Sequence, residues 1–246
     1  MESKLEPFSQ ARILLENFRD SGCIVLSGES GVGKTCFALQ SMNESIRVGK
    51  KCFYLHSNTS KNDLLLVAQS LGFDLARSVK KEDVLLIDAY SYHADVSASS
   101  NFAWPPLSKL SDLAKVIGDA TNDVKDFRIV FDDVSTLLMY FSAEESYKFL
   151  ATVTSRLRSS QALGLFLLIP GVLNHSLENV LPTLFDGVLQ LKIQDTPLGI
   201  QRLLRVSYMK GTRHRIEWTR LEIGSSGVFI QGPEYPSNRN LKYITQ

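Results

Sequence analysis

The chain has little of what disulfide-rich, metal-rich or membrane proteins need. Of its 246 residues only three are cysteine, Cys23, Cys36 and Cys52. An odd count without metal-ligand spacing argues against a disulfide framework or a zinc site, and fits buried, reduced thiols in a cytosolic protein. The four histidines, His56, His93, His175 and His214, show no ligand spacing and read as structural residues. An excess of either charge is also missing. The 27 basic residues face 26 acidic ones, for a net charge of +1. That removes any global pull toward nucleic acid or an anionic membrane and leaves room only for a local patch. No apolar run is long enough to span a bilayer, and the polar, charged N-terminus carries no secretory signal. Neither a repeat nor a domain boundary is visible. The expectation is one domain over 1–246, with a helical lead-in at 1–22 and a loosely held tail at 232–246.

What is present centres on one stretch. Hydrophobic residues make up 44% of the chain, ample for a buried core. Gly28-Glu29-Ser30-Gly31-Val32-Gly33-Lys34-Thr35 fits the pattern of a Gly, four free positions, then Gly-Lys-Thr. Cys23 to Ser27 before it reads as a buried strand, and Cys36 to Ser45 after it as a helix. The glycines permit a tight turn that aims successive N–H groups inward, where they and the helix N-terminus bind anionic phosphate. Lys34 reaches the β- and γ-phosphates, and the Thr35 hydroxyl ligates Mg²⁺. Gly28 through Cys36 is therefore the candidate nucleotide-binding segment, with Lys34 also a catalytic candidate. The bland alternative is a Gly-rich turn without a ligand.

Further strands are expected at Cys52–His56, Val84–Ala89, Arg128–Asp133, Leu163–Ile169 and Val188–Ile193, then a meander over Arg202–Met209, Arg215–Ile223 and Gly227–Gln231. Helices are expected over 5–19, over Leu64–Leu71 with Asn62-Asp63 as cap, over Leu110–Ala120, and from Ser142 to about Ser159 with capping-box spacing. Alternating strands and helices imply an α/β fold with a mostly parallel, doubly wound sheet and a C-terminal antiparallel extension. Ligands in such sheets sit at the carboxyl ends of the strands. Residues 91–108, with Trp104, Pro105 and Pro106, read either as a binding loop or as a packed surface loop.

An apolar strand ending in Asp132, downstream of a phosphate loop, suits a carboxylate that holds Mg²⁺, with Asp133 beside it. The alternative is an ordinary acidic strand end. The segment Lys210, Arg213, His214, Arg215 has three readings: a charged strand edge, a reach toward a neighbour's nucleotide, or a contact to nucleic-acid phosphates.

From about Cys23 to Ile230 the chain resembles the KaiC-like branch of the RecA superfamily. The resemblance rests on Gly28–Thr35, Leu71-Gly72-Phe73-Asp74-Leu75, Ile87-Asp88-Ala89-Tyr90, Val130 to Leu137, Phe185-Asp186-Gly187-Val188 and Met209 to His214. It implies a RecA-like P-loop fold that binds ATP with Mg²⁺, often as a homo- or hetero-oligomeric ring with ATP between subunits. It also implies that Lys210 serves a neighbour's γ-phosphate as a catalytic cation. Several departures stand out. Paired glutamates after the second strand are replaced by Asn58 and Thr59, neither a usable base near neutral pH. A polar residue at the end of the fifth strand is replaced by Ile169-Pro170-Gly171, and one cation of a Lys-x-Arg-Gly segment by Tyr208. The glycine-rich N-terminal lead-in is absent. The ground-state phosphate site looks complete and the transition-state groups depleted. The expected function is an ATP-binding switch or assembly module with weak or no hydrolysis. The rivals are a DNA-stimulated ATPase of recombination or repair, and a degenerate structural subunit.

Overall fold

The computed structural model describes residues 15–16, 20–89, 109–197, 199–231 and 243–244. In chain order the strands are Leu15–Glu16 (β1), Gly22–Ser27 (β2), Cys52–His56 (β3), Val84–Asp88 (β4), Arg128–Asp132 (β5), Leu163–Leu168 (β6), Gly187–Thr196 (β7), Gly199–Met209 (β8), Arg213–Arg215 (β9), Thr219–Gly224 (β10), Gly227–Ile230 (β11) and Tyr243–Ile244 (β12). The helices are Lys34–Arg47 (α1), Lys61–Ser70 (α2), Leu75–Lys80 (α3), Leu110–Ala120 (α4), Val134–Leu138 (α5), Ala143–Ser159 (α6) and His175–Leu184 (α7).

Nine strands form one sheet in the order β11-β10-β8-β7-β2-β6-β5-β3-β4. The six from β7 to β4 are parallel, and β8, β10 and β11 extend the sheet antiparallel beyond β7. The central strands are buried on both faces, which is why β3, β5 and β6 read as near-continuous apolar runs. One face packs on α1, α2 and α3 through Phe37, Leu64 and Leu75; the other packs on α4 to α7 through Leu113, Leu137, Leu150 and Leu177. In the second layer Phe166 stacks on Phe131 with ring centroids 4.4 Å apart and meets Phe185 edge-on at 4.9 Å.

The helix expected over 5–19 falls mostly outside the described residues. Where the chain is described, Leu15–Glu16 is instead a strand paired with His214 and Arg213. The tail expected to hang loose pairs Tyr243–Ile244 with the other edge of β9. β9 thus belongs to a separate small sheet, and the strand expected from Arg215 to Ile223 is shortened to β10. The cap of α2 is Ser60, whose hydroxyl accepts from the Asp63 N–H at 3.1 Å, rather than Asn62-Asp63. The capping box at Ser142 and Glu145 forms as its spacing predicts, at 3.1 and 3.2 Å. Three helices went unread. α3 and α5 are only six and five residues long, and α7 carries Pro182 inside it, a breaker that argues against a helix when read from the residues. Residues 91–108 with Trp104 lie outside the described residues.

Because Phe166 bridges two rings in the second layer, Phe166→Ala should destabilise the fold by about 3–5 kcal/mol in urea unfolding monitored by circular dichroism. A loss under about 1 kcal/mol would mean that this layer closes around the cavity.

Candidate functional site

β2 delivers the chain to the carboxyl edge of the sheet, where the Gly28 N–H bonds the Leu168 carbonyl at 3.0 Å. The loop from Gly28 to Gly33 then turns into α1. Two glycines are required by geometry. A Cβ on Gly28 would lie 2.8 Å from the Leu191 carbonyl oxygen. Gly33 holds φ at +107°, and a Cβ there would lie 2.3 Å from the Ile223 Cδ1. Val32 is fully buried and pins the loop from below. Glu29 accepts from the Ile193 N–H at 3.2 Å and fastens the loop to β7.

The Lys34 ammonium is buried and donates to the carbonyls of Gly28 at 2.7 Å and Glu29 at 2.8 Å. Burial holds its pKa below the ordinary lysine value, and the nearby Asp133, Asp132 and Glu29 charges oppose that shift. The Thr35 hydroxyl donates to Asp132 Oδ2 at 2.8 Å, and the Tyr54 hydroxyl donates to the same oxygen at 2.6 Å. Asp132 is buried at the tip of β5, and desolvation pushes its carboxyl pKa up against the pull of those two bonds.

Asp133 is the N-cap of α5. Its Oδ1 accepts from the Thr136 N–H at 2.6 Å and its Oδ2 from Asn58 Nδ2 at 3.1 Å. Its N–H bonds the Ser57 hydroxyl at 3.0 Å, and the Ser57 hydroxyl donates to its carbonyl at 2.8 Å. The Asp132–Asp133 peptide is cis. On the other side of α5, the Ile169 N–H bonds the Ser135 hydroxyl at 2.8 Å. His56, at the tip of β3, pairs its Nδ1 with the Thr59 carbonyl at 2.8 Å, and burial lowers its pKa, favouring the neutral ring.

Gly28 to Thr35 and Asp132 therefore converge. Ser30 and Gly31 are exposed on the loop, facing solvent. Cys36 is the third residue of α1, half-buried, its thiol pKa raised mainly by desolvation. Lys210 does not converge with the others. It follows β8, and its N–H bonds the Asp186 carbonyl at 2.7 Å beside the start of β2. The six residues of β2, roughly 20 Å of strand, separate that end from the phosphate loop. Tyr54 was the group missed. Its signal was a phenol in an apolar strand, two residues before a position in register with Asp132. Among the cysteines, burial drives the Cys23 and Cys52 thiols to about 12, in line with inert reduced thiols. His214 is buried and bonds the Thr212 carbonyl at 2.9 Å, while His93 lies outside the described residues.

The donor set fits a magnesium nucleotide. Among the described residues no three His, Cys, Asp or Glu side chains gather to hold a metal by themselves. One hydroxyl and one carboxylate within 2.8 Å of each other are what Mg²⁺ takes from a protein when phosphate oxygens and water complete its shell. The N–H groups of the loop and of the first turn of α1, with Lys34, would supply the phosphate side.

Tyr54→Phe removes one of two donors to a buried carboxylate. It should lower stability by about 1.5–3 kcal/mol in chemical denaturation at neutral pH. An unchanged midpoint would mean that Tyr54 does not stabilise Asp132.

Comparison with known proteins agrees with this geometry. A family model described as "ATPase: KaiC" matches residues 11–235. The circadian clock protein KaiC3 of Synechocystis is 22% identical over 219 residues, 88% of this chain and 40% of the relative. A UPF0273 protein of Thermotoga maritima is 22% identical over 239 residues and 92% of both chains. The crystal structure of a KaiC-like protein from Pyrococcus horikoshii superposes with a TM-score of 0.69 at 19% identity, covering 94% of this chain and 98% of the other. The chain spans about two-fifths of the length of the KaiC proteins it matches. With its phosphate loop, its acidic strand end and a sheet that is parallel up to a C-terminal antiparallel extension, the chain belongs to the KaiC ATPase family and has the RecA-type fold.

Proposed function

We propose that the protein binds Mg²⁺ and ATP and works as a nucleotide-dependent switch or assembly module that hydrolyses ATP slowly or not at all. The observation that carries this reading is the pairing of Thr35 with Asp132 beside a carboxylate, Asp133, each of whose oxygens already accepts a hydrogen bond from a group outside the phosphate loop.

The binding side is well supplied. Lys34 would exchange the Gly28 and Glu29 carbonyls for phosphate oxygens, and the N–H groups of the loop and the first turn of α1 would bind the same phosphates. Thr35 and Asp132 would hold the ion, which would supply charge neutralisation at the phosphates. The hydrolytic side is poor. A water attacking phosphorus needs an acceptor for its proton. Asn58 is neutral, and its amide nitrogen is a donor spent on Asp133. Both Asp133 oxygens have partners, and Ser57 is tied to the main chain. After β6, Ile169 and Pro170 offer no side-chain donor to a γ-phosphate, and the Ile169 N–H is held by Ser135.

The same bonds favour a switch. The Thr35 hydroxyl would give up its bond to Asp132 if it turned to a bound ion. Asp133, the next residue, links the segment after β3 to the start of α5. A change at Thr35 therefore reaches two surface segments in few steps. Lys210 stands a strand's length from its own phosphate loop, which supports a role toward a neighbouring subunit's nucleotide in an oligomer.

The test is ATP binding at equilibrium and single-turnover hydrolysis on one sample, wild type against Lys34→Ala. Wild type should bind ATP, the variant at least tenfold more weakly, with turnover on the order of 10⁻³ s⁻¹ or slower. Turnover near 1 s⁻¹ abolished by Lys34→Ala would reveal a working base and overturn the switch reading. Absence of binding would leave a structural subunit.

A further inference from the structure

The antiparallel extension has one face that the helices leave open. Alternation along β7, β8, β10 and β11 turns Leu189, Leu191, Leu204, Leu221 and Val228 toward α1. Among the described residues the opposite face meets no second layer. The core on that side stops at Val188 of β7 and includes no residue of β8, β10 or β11.

Register fixes what stands on that open face. Lys192 lies opposite Leu203, and Leu203 opposite Arg220, forming one row across three strands. Gln190 lies opposite Arg205 in the next row, and Glu222 opposite Phe229 in a third. Trp218, just before β10, carries Lys192 Nζ at 4.3 Å and the Arg205 guanidinium at 4.5 Å from its ring centroid. Arg205 is held further by Gln190 at 2.8 Å. Glu222 is the acidic group in these rows, and it is occupied by Arg220 at 3.1 Å and Gln231 at 2.8 Å. Phe229 presents its ring to solvent with 44% of its surface exposed.

We infer that this open sheet face binds single-stranded nucleic acid, with Lys192, Arg205 and Arg220 meeting phosphates and Phe229 stacking a base. The inference is independent of the nucleotide site and goes beyond the function proposed for it. Three cations against one engaged carboxylate make the face locally basic although the chain is near neutral. Trp218 holds two of those cations in place, so little side-chain freedom is lost on binding. An open sheet face with an exposed ring and interleaved cations is the surface that unstacked bases and their backbone fit. A duplex is disfavoured because, among the described residues, no helix or ribbon rises from this face to enter a groove. An acidic protein segment would use the cations but leave the Phe229 ring without a stacking partner.

The test is fluorescence anisotropy of labelled oligo-dT and oligo-U of about 15 nucleotides, using the full chain without ATP. Wild type should bind at least one of them. Its affinity should fall about tenfold or more between roughly 50 and 200 mM salt, as expected for three phosphate contacts. Arg205→Glu should weaken binding at least tenfold. Phe229→Ala, at an exposed position that the fold tolerates, should weaken it about fivefold or more. Lys34→Ala should bind like wild type. The inference fails if neither oligonucleotide binds, or if Arg205→Glu and Phe229→Ala both bind like wild type. It fails equally if a duplex of the same length binds as tightly, or if poly-glutamate competes at equal charge concentration, which would assign the face to an acidic protein.

Discussion

A buried carboxylate at the end of a parallel strand is the constraint on which this molecule depends. Asp132 is removed from water, and desolvation disfavours its charge. Two hydroxyls offset that cost: Thr35 from the first turn of α1 and Tyr54 from the neighbouring strand β3. The same three residues join β5, α1 and β3, so the phosphate loop is fixed by the carboxylate proposed to hold a metal ion. Tyr54 also acts structurally, closing the row beneath the site where an apolar side chain would leave the carboxylate with a single donor.

The direction of the sheet then divides labour between its two ends. Six parallel strands bring the phosphate loop, Asp132, Asp133 and Asn58 to one edge. β8 runs the other way and carries its following turn, with Lys210, to the opposite edge. A chain built like this holds the binding half of a nucleotide site at one end and offers a cation at the other. That arrangement supports completion of the site between neighbouring copies and fits the poverty of hydrolytic groups around Asp132 within one chain.

Much of this was legible in the residues, for identifiable reasons. The Gly28–Thr35 spacing is dictated by backbone contacts to phosphate, so it survives as a readable pattern. The apolar runs of β3, β5 and β6 are readable because both faces are buried. What escaped depends on tertiary partners. The chain at Leu15–Glu16 has helical spacing but becomes a strand because β9 offers it an edge. Ser60 outcompeted Asn62-Asp63 as a cap because the preceding turn places its hydroxyl on the Asp63 N–H. In the residues Asp133 is only the neighbour of Asp132, and its place as the cap of α5 emerges from the Thr136 N–H that it accepts. Tyr54 could be seen only through register, since its partner lies 78 residues away.

The proposed function stands on Thr35 and Asp132 forming a metal site that a nucleotide completes. Calorimetric titration of ATP with Mg²⁺ or with EDTA, in wild type and Asp132→Asn, tests it most directly. Mg²⁺ should tighten ATP binding in wild type, this gain should disappear in Asp132→Asn, and the two proteins should bind ATP alike in EDTA. An equal gain from Mg²⁺ in both proteins would remove Asp132 from the metal site.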